Sequence, residues 1–310
     1  MLRYTLKRIL TGVLSLFVLA TVTFFLVRLI PGSPFQRGGV STQVVEAVEE
    51  EYGLNEPLFE QYVTYMGSLL RGDLGISYQD PGTEVAEIIG RAWPITASLG
   101  ITALAAAMIL GTVLGIIRAV AKNRALKELI SAGSMLAAGI PSFAAAILLM
   151  LIFSVKLRLL PASGLLSPVH YILPTAALSL YPMAVISRLT GNTLRTELQK
   201  DYVLFARAKG LGRWRTIFTH ALKNAYLPVL SYAGPASASL LTGSFVIESI
   251  FTIPGLGREF VSSITNRDYT LILGLTVFMG TVVIAVNLLT DLLCAWLDPR
   301  MRRAYREENV

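Results

Sequence analysis

The chain has 310 residues, of which 54% are hydrophobic and only 15% charged, and its mean hydropathy is +0.60. A soluble fold of this length needs a more polar surface, so composition excludes an ordinary water-soluble domain and points to lipid as the solvent. The net charge of +7 suggests nucleic acid, but the distribution of those charges along the chain removes that reading, as shown below.

Between charged residues lie six uncharged runs: Ile9–Val27, Ala92–Ile117, Leu129–Val155, Leu159–Ser187, Asn224–Ile247 and Tyr269–Thr290, each 19 residues or longer. A helix needs about 20 apolar residues to cross a hydrocarbon layer. The runs therefore predict an all-α membrane protein with six transmembrane helices. Arg3, Lys7 and Arg8 precede the first run, as in a signal peptide. It is longer than a signal core, however, and closes on Arg28-Leu29-Ile30-Pro31, so residues 1–30 read as an N-terminus and a retained first helix.

Residues 31–94 read as an external segment, too small for a catalytic domain and suited to be a packed cap. Ser41 is placed to cap a helix through about Tyr52, and Asn55 to cap a second with Pro57 in its first turn. Helical spacing puts Leu58, Phe59, Tyr62, Tyr65, Met66, Leu69 and Leu70 on one face of the second. RGDLGISYQDPG (71–82) is a turn-rich connection.

Residues 95–297 then form a five-helix core. Its second to fourth spans are rich in small residues, as in ASLGITALAAAMILGTVLG (97–115), which let membrane helices approach closely. Pro161-Ala162-Ser163-Gly164 is turn-like, so the fourth helix is expected to start near Tyr171. Gly139-Ile140-Pro141 and Pro182 should kink their helices. For one proline, packing geometry is the plain explanation. Several Pro and Gly in one bundle suit a translocation path, with Pro141, Pro182, Pro235, Gly243 and Glu248 as pathway or hinge candidates. By helical rise, Glu248 falls about 30 Å past Pro228, near the outer interface, and Asp291 falls near the inner one. No charge sits at the bilayer centre by this count, which weighs against a self-sufficient ion-coupled transporter or channel.

With six spans, the N-terminus, the second and fourth loops and the C-terminal tail 298–310 share one side and hold 19 of the 27 Lys and Arg. The segment from Arg28 to Pro94 carries ten Asp and Glu against four Arg. The positive-inside rule puts both termini in the cytoplasm, and the basicity is then topology, with no nucleic-acid partner implied. Cys294 reads as a small apolar filler.

No HExxH or GxSxG occurs, and the two histidines, His170 and His220, have no metal-ligand spacing. There is no Gly-Lys dipeptide, hence no phosphate loop of the GxxxxGK[ST] type. An intramembrane enzyme is disfavoured and no cofactor is expected in this chain. If ATP drives it, another chain hydrolyses the ATP.

The cytoplasmic loop 190–227 contains DYVLFARAKGLGRWRTIFTHALKNAYLP, running into Pro228. Asp201 is a candidate N-cap, and Tyr202–Lys209 makes a helix of about 12 Å. Gly210-Leu211-Gly212 ends it. A second helix puts Trp214, Ile217, Phe218, Ala221, Leu222 and Ala225 on one face, with Arg213, Arg215 and Lys223 elsewhere. That second helix is suited to lie on the inner leaflet. The first has small residues, Ala206, Ala208 and Gly210, among Tyr202, Phe205, Arg207 and Lys209. It suits a knob that enters a cleft on a partner, with Asp201, Leu211 and Gly212 at its ends.

ARAKGLGRWRTIFTHALKNAYLP resembles the cytoplasmic EAA loop of ABC-importer permeases, in their peptide branch. MLRYTLKRIL through VRLIPGSPF, RGDLGIS (71–77), TGSFVIESIFTIPGLG (242–257), NRDYTLILGLT (266–276) and LDPRMR (297–302) resemble that branch in the same order. PGSPF and VLSYAGPA (229–236) look closer to the oligopeptide B-type permease than to the dipeptide or nickel types. The resemblance implies the type I importer permease fold in the bacterial cytoplasmic membrane. It also implies a second permease subunit, one or two ATP-binding subunits that carry ATP and Mg, an external peptide-binding protein, and a coupling helix at 201–212. Leu204 stands where many ABC permeases carry the Glu of EAA, so no salt bridge from that Glu is expected.

Overall fold

The protein is described by a computed structural model covering residues 2–30, 33–35 and 42–297. Helices joined by turns and loops make up those residues, which include no strand and one isolated backbone bridge between Ile76 and Glu84. Helix is the expected answer for long apolar segments, because in lipid every backbone N–H and C=O must find a partner within the chain. The expected cap Ser41 and the tail 298–310 lie outside the described residues.

Among the described residues, four helices are long and apolar enough to cross a membrane: Thr5–Arg28 within α1 (Leu2–Arg28), Val85–Val120 (α4), Pro168–Glu197 around α7 (Ile172–Glu197), and Tyr269–Trp296 within α14 (Tyr269–Leu297). The third expected span is broken. Arg124–Gly139 (α5) and Ser142–Lys156, which begins with α6 (Ser142–Leu149), meet at 105°. Pro141 lacks an N–H and holds the residue before it out of helical geometry, and Ile140 is extended at φ −84, ψ 122. Counting that pair as one span gives five.

The fifth expected span is also interrupted. It runs as Arg213–Arg215 (α9), a π-helical stretch Thr216–Ala221, Leu222–Ala225 (α10) and Leu227–Leu241 (α11). Phe245–Ile250 (α12) and Leu256–Thr265 (α13) follow after a break. The 15 residues of α11 reach only about 22 Å.

Between α1 and α4, Thr42–Glu51 (α2) and Leu58–Leu70 (α3) form close to the expected positions. Pro57 occupies the N-cap of α3 with no side-chain cap, so Asn55 does not cap it. The Thr21 and Tyr62 hydroxyls are 2.8 Å apart, and the Phe24 ring packs on Tyr62 and Tyr65. The expected single apolar face is divided, because Phe59 and Leu70 are 71% and 85% exposed. Beside a lipid-facing span, apolar side chains gain little by turning inward.

Close contacts give the helix directions. Along α4 and α7, Ser98 meets Tyr171, Thr102 meets Thr175, and Gly115 meets Ser187 and Thr190, so the two run parallel. Along α4 and α11, Gly100 meets Leu240 and Thr112 meets Tyr226, so these run antiparallel. The α1–α14 pair is antiparallel, with Arg8 paired to Asp291 at 3.0 Å near one end and Val27 packed with Ile272 near the other. Gly234 against Thr290 and Ser231 near Cys294 make α11 and α14 antiparallel.

Candidate functional site

The loop helix Asp201–Ala208 (α8) begins one residue earlier than expected. Lys200 takes the N-cap place and Asp201 is the first helical residue, where its charge favours the helix N-terminus without capping it. Gly210 ends it at φ +83, the left-handed region open to glycine. The Leu211 N–H donates to Ala206 O and the Gly210 N–H to Arg207 O, a complete Schellman closure.

The two faces of α8 differ. Val203 is fully buried, packed with Ile116, Leu194, Ile217, Ala221 and Ala225, and Ala206 is 6% exposed. Ala206 therefore faces inward within this chain and not along the exposed side of the helix. The outward face carries Leu204, Phe205, Ala208, Lys209 and Gly210, with Phe205 61% exposed and the Lys209 ammonium 4.5 Å from its ring centre. Arg207, Asp201, Tyr202 and Gly212 are also exposed, and Leu211 is half-buried. The Tyr202 hydroxyl donates to Glu197 at 2.6 Å and accepts from Asn224. Burial, and next the bond to Glu197, push its pKa above the ordinary value.

In the second loop helix the expected single face splits. Ile217, Ala221 and Ala225 are buried, while Trp214 and Phe218 stack on each other and stand 57% and 54% exposed. The π-helical stretch adds a residue to the turn and shifts the register, which simple 3.6-residue counting does not anticipate.

Four of the five pathway candidates come together. Pro141, Pro182, Pro235 and Gly243 line one open cleft of ≈ 660 Å³, with Tyr181, Tyr232, Ser142 and Ser239 beside them. Pro141 stands at the break between α5 and α6, whereas Pro182 and Pro235 lie inside the continuous helices α7 and α11. Glu248 does not line it. Its side chain is fully buried, beneath a wall whose Gly243, Ser244 and Phe245 face the cleft.

There Glu248 acts as a cap delivered from another helix. Its Oε1 accepts from the Thr96 hydroxyl at 3.0 Å, and its Oε2 accepts from the N–H of Arg258 at 3.1 Å, with Gly257 N–H as a further donor. Thr96 in turn accepts from the Leu256 N–H at 2.8 Å. These donors are the first turn of α13, a helix end that welcomes negative charge. The carboxylate fits only because its neighbours lack side chains: a Cβ on Gly243, Gly255 or Gly257 would come within 2.8, 2.6 or 3.0 Å of its oxygens.

Sequence reasoning missed Thr96, Gly255 and Gly257 as partners of Glu248, and no local pattern links positions so far apart. It also missed Asp268. That side chain is buried, accepts from the N–H groups of Tyr78 and Gln79 and from Ser77, and caps α14 by accepting from the Leu271 N–H at 3.1 Å. An Asp immediately before an apolar run was the available signal.

A chain whose described residues form several apolar helices of membrane length, with a cleft between helices, is a multi-pass membrane protein. Residues 111–303 match the family described as binding-protein-dependent transport system inner membrane component, and residues 1–100 match the N-terminal region of such membrane components. The chain belongs to this family. It is 43% identical to the dipeptide transport system permease protein DppB of Bacillus subtilis (strain 168), covering 97% of this chain and 98% of that one. It is 40% identical to the oligopeptide transport system permease protein OppB of Escherichia coli (strain K12), covering 97% and 100%. These figures do not separate the oligopeptide from the dipeptide type. Among solved structures, a chain of the MetNI methionine ABC transporter in inward-facing conformations aligns with a TM-score of 0.56 at 16% identity, over 69% of this chain and 97% of that one. This likeness places the fold among ABC importer permeases.

Proposed function

We propose that this chain is the permease subunit of an ATP-driven importer that takes up peptides. The observation that carries it is 40–43% identity along nearly the whole chain to permeases of peptide transport systems. A second permease subunit completes the pathway, one or two ATP-binding subunits supply ATP and Mg chemistry, and an external binding protein delivers the peptide. The alternating helix directions support six crossings, in which the bent α5–α6 pair is one and α9–α11 together another. The charge distribution supports a bacterial inner-membrane placement with both termini in the cytoplasm.

In this reading the proline-lined cleft is this subunit's share of the pathway. The outward face of α8, led by Phe205 and Leu204, enters a groove on an ATP-binding subunit. Closure of the ATP-bound dimer pushes α8, and the apolar contacts of Val203 and Ala206 pass the movement to the ends of α4 and α7. Reconstitution tests this: labelled peptide should enter vesicles only with both permeases, the ATP-binding subunits, loaded binding protein and ATP. Uptake by the lone chain without ATP would favour a secondary transporter and sink the proposal.

A further inference from the structure

The helical path from Leu240 back to Arg213 runs beside α4 from Gly100 to Val120. At one end the Leu240 backbone packs on Gly100, and at the other Arg213 donates a 2.7 Å hydrogen bond to Val120 O. Twenty residues of α4 span about 30 Å, one hydrocarbon thickness. Val120 lies three residues, or about 5 Å, beyond Ile117, where the uncharged run of α4 ends. Trp214 and Phe218 therefore stand at the depth where hydrocarbon gives way to headgroups.

The chemistry at that depth is specific. Trp214 and Phe218 stack with ring centres 6.0 Å apart and are more than half exposed, although Ile217 between them is buried. The Arg213 guanidinium lies 6.0 Å from the Trp214 ring, and Arg215 is exposed next to it. The Arg213–Val120 bond also brings up the start of the next loop, where Lys122 is exposed. Amphipathic aromatic rings flanked by cations suit the interfacial zone of a leaflet that carries negative charge.

We infer that Trp214, Phe218, Arg213, Arg215 and Lys122 form a docking surface for anionic phospholipid headgroups on the inner leaflet. The surface sits on the same helix whose Ile217 and Ala221 support α8. Bound anionic lipid therefore fixes the depth of α8 and makes coupling dependent on lipid composition. This rests on the cytoplasmic placement of the loop under the proposed function, and it does not depend on the transported substrate.

The test places a photoreactive benzoylphenylalanine at position 214 or 218 of the assembled transporter. The host membrane is a nanodisc of phosphatidylcholine and phosphatidylglycerol at equal mole fraction, and adducts are identified by mass. The result expected is a lipid adduct enriched in phosphatidylglycerol, with Arg215→Gln lowering that enrichment about fivefold. Equal labelling of the two lipids, an adduct with an ATP-binding subunit, or no adduct each overturns the inference. The same photoprobe at position 205 should label an ATP-binding subunit. Its failure there would count against the proposed function, separately from the lipid surface.

Discussion

At the end of the α4–α7 pair where α4 begins, neighbouring segments are pinned by buried carboxylates. Glu248 ties α12 and the start of α13 to Thr96 of α4, and Asp268 ties residues 77–79 to the start of α14. At the opposite end, α8 contributes the buried Val203 to an apolar cluster, and its side-chain hydrogen bonds, those of Tyr202 with Glu197 and Asn224, are exposed. Hydrogen bonds to a carboxylate are directional, and leaving a buried donor unpaired is costly, so they set a unique position. Apolar burial is non-directional and tolerates small shifts of a packed helix. The difference suits, under the proposed function, a molecule in which segments at one end hold a fixed shape while α8 at the other moves as a body.

Breaking the outer pins should cost most. Glu248→Ala strands the Thr96 hydroxyl and the first N–H groups of α13, at about 1–3 kcal/mol for each buried donor left unpaired. The expected outcome is a large fall in the temperature at which the detergent-solubilised chain loses its monodisperse peak. Glu248→Gln should fall between, because both carboxylate oxygens face donors and one amide group would not accept. A glutamine variant as stable as the native chain would show that the donors alone do not define the site.

Asp268→Ala should be next, losing the α14 cap at about 0.5–2 kcal/mol and the bonds to residues 77–79. Faster hydrogen exchange at the Tyr78 and Gln79 amides, with α8 unchanged, is the expected signature. At the opposite end, Ala206→Leu overpacks a position that is only 6% exposed, for about 1–3 kcal/mol. Proteolysis within 201–212 should rise while the outer segments stay protected.

The smallest stability effect belongs to Phe205→Ala, within about 0.5 kcal/mol, because the ring is mostly exposed. The same change should nonetheless weaken retention of the ATP-binding subunits in pull-down and uncouple ATP hydrolysis from uptake. If Phe205→Ala retains both while Ala206→Leu loses them, the outward face of α8 is not the contact.

Much of the fold was legible in the sequence. Length between charges located the apolar helices, and Pro141 marked the break between α5 and α6. Helix α8 and its glycine stop were also legible, because Gly210 answers a local need for positive φ. The caps were less legible. Asn55 and Asp201 have the right chemistry for a cap, yet Pro57 and Lys200 occupy those places, since capping is settled by where the preceding chain arrives. Glu248 was misplaced for a related reason. A carboxylate at a helix end reads as solvated until its donors are known.

By itself the sequence determined the solvent and the helical class, because each follows from summed properties of contiguous residues: hydropathy over a membrane thickness, a breaker within a turn. Only the tertiary structure decided that three glycines make room for Glu248 at the start of α13, and that Asp268 joins residues 77–79 to the start of α14. Each of these depends on groups far apart in the chain meeting within bonding or contact distance. No window along the sequence contains both members of such a pair.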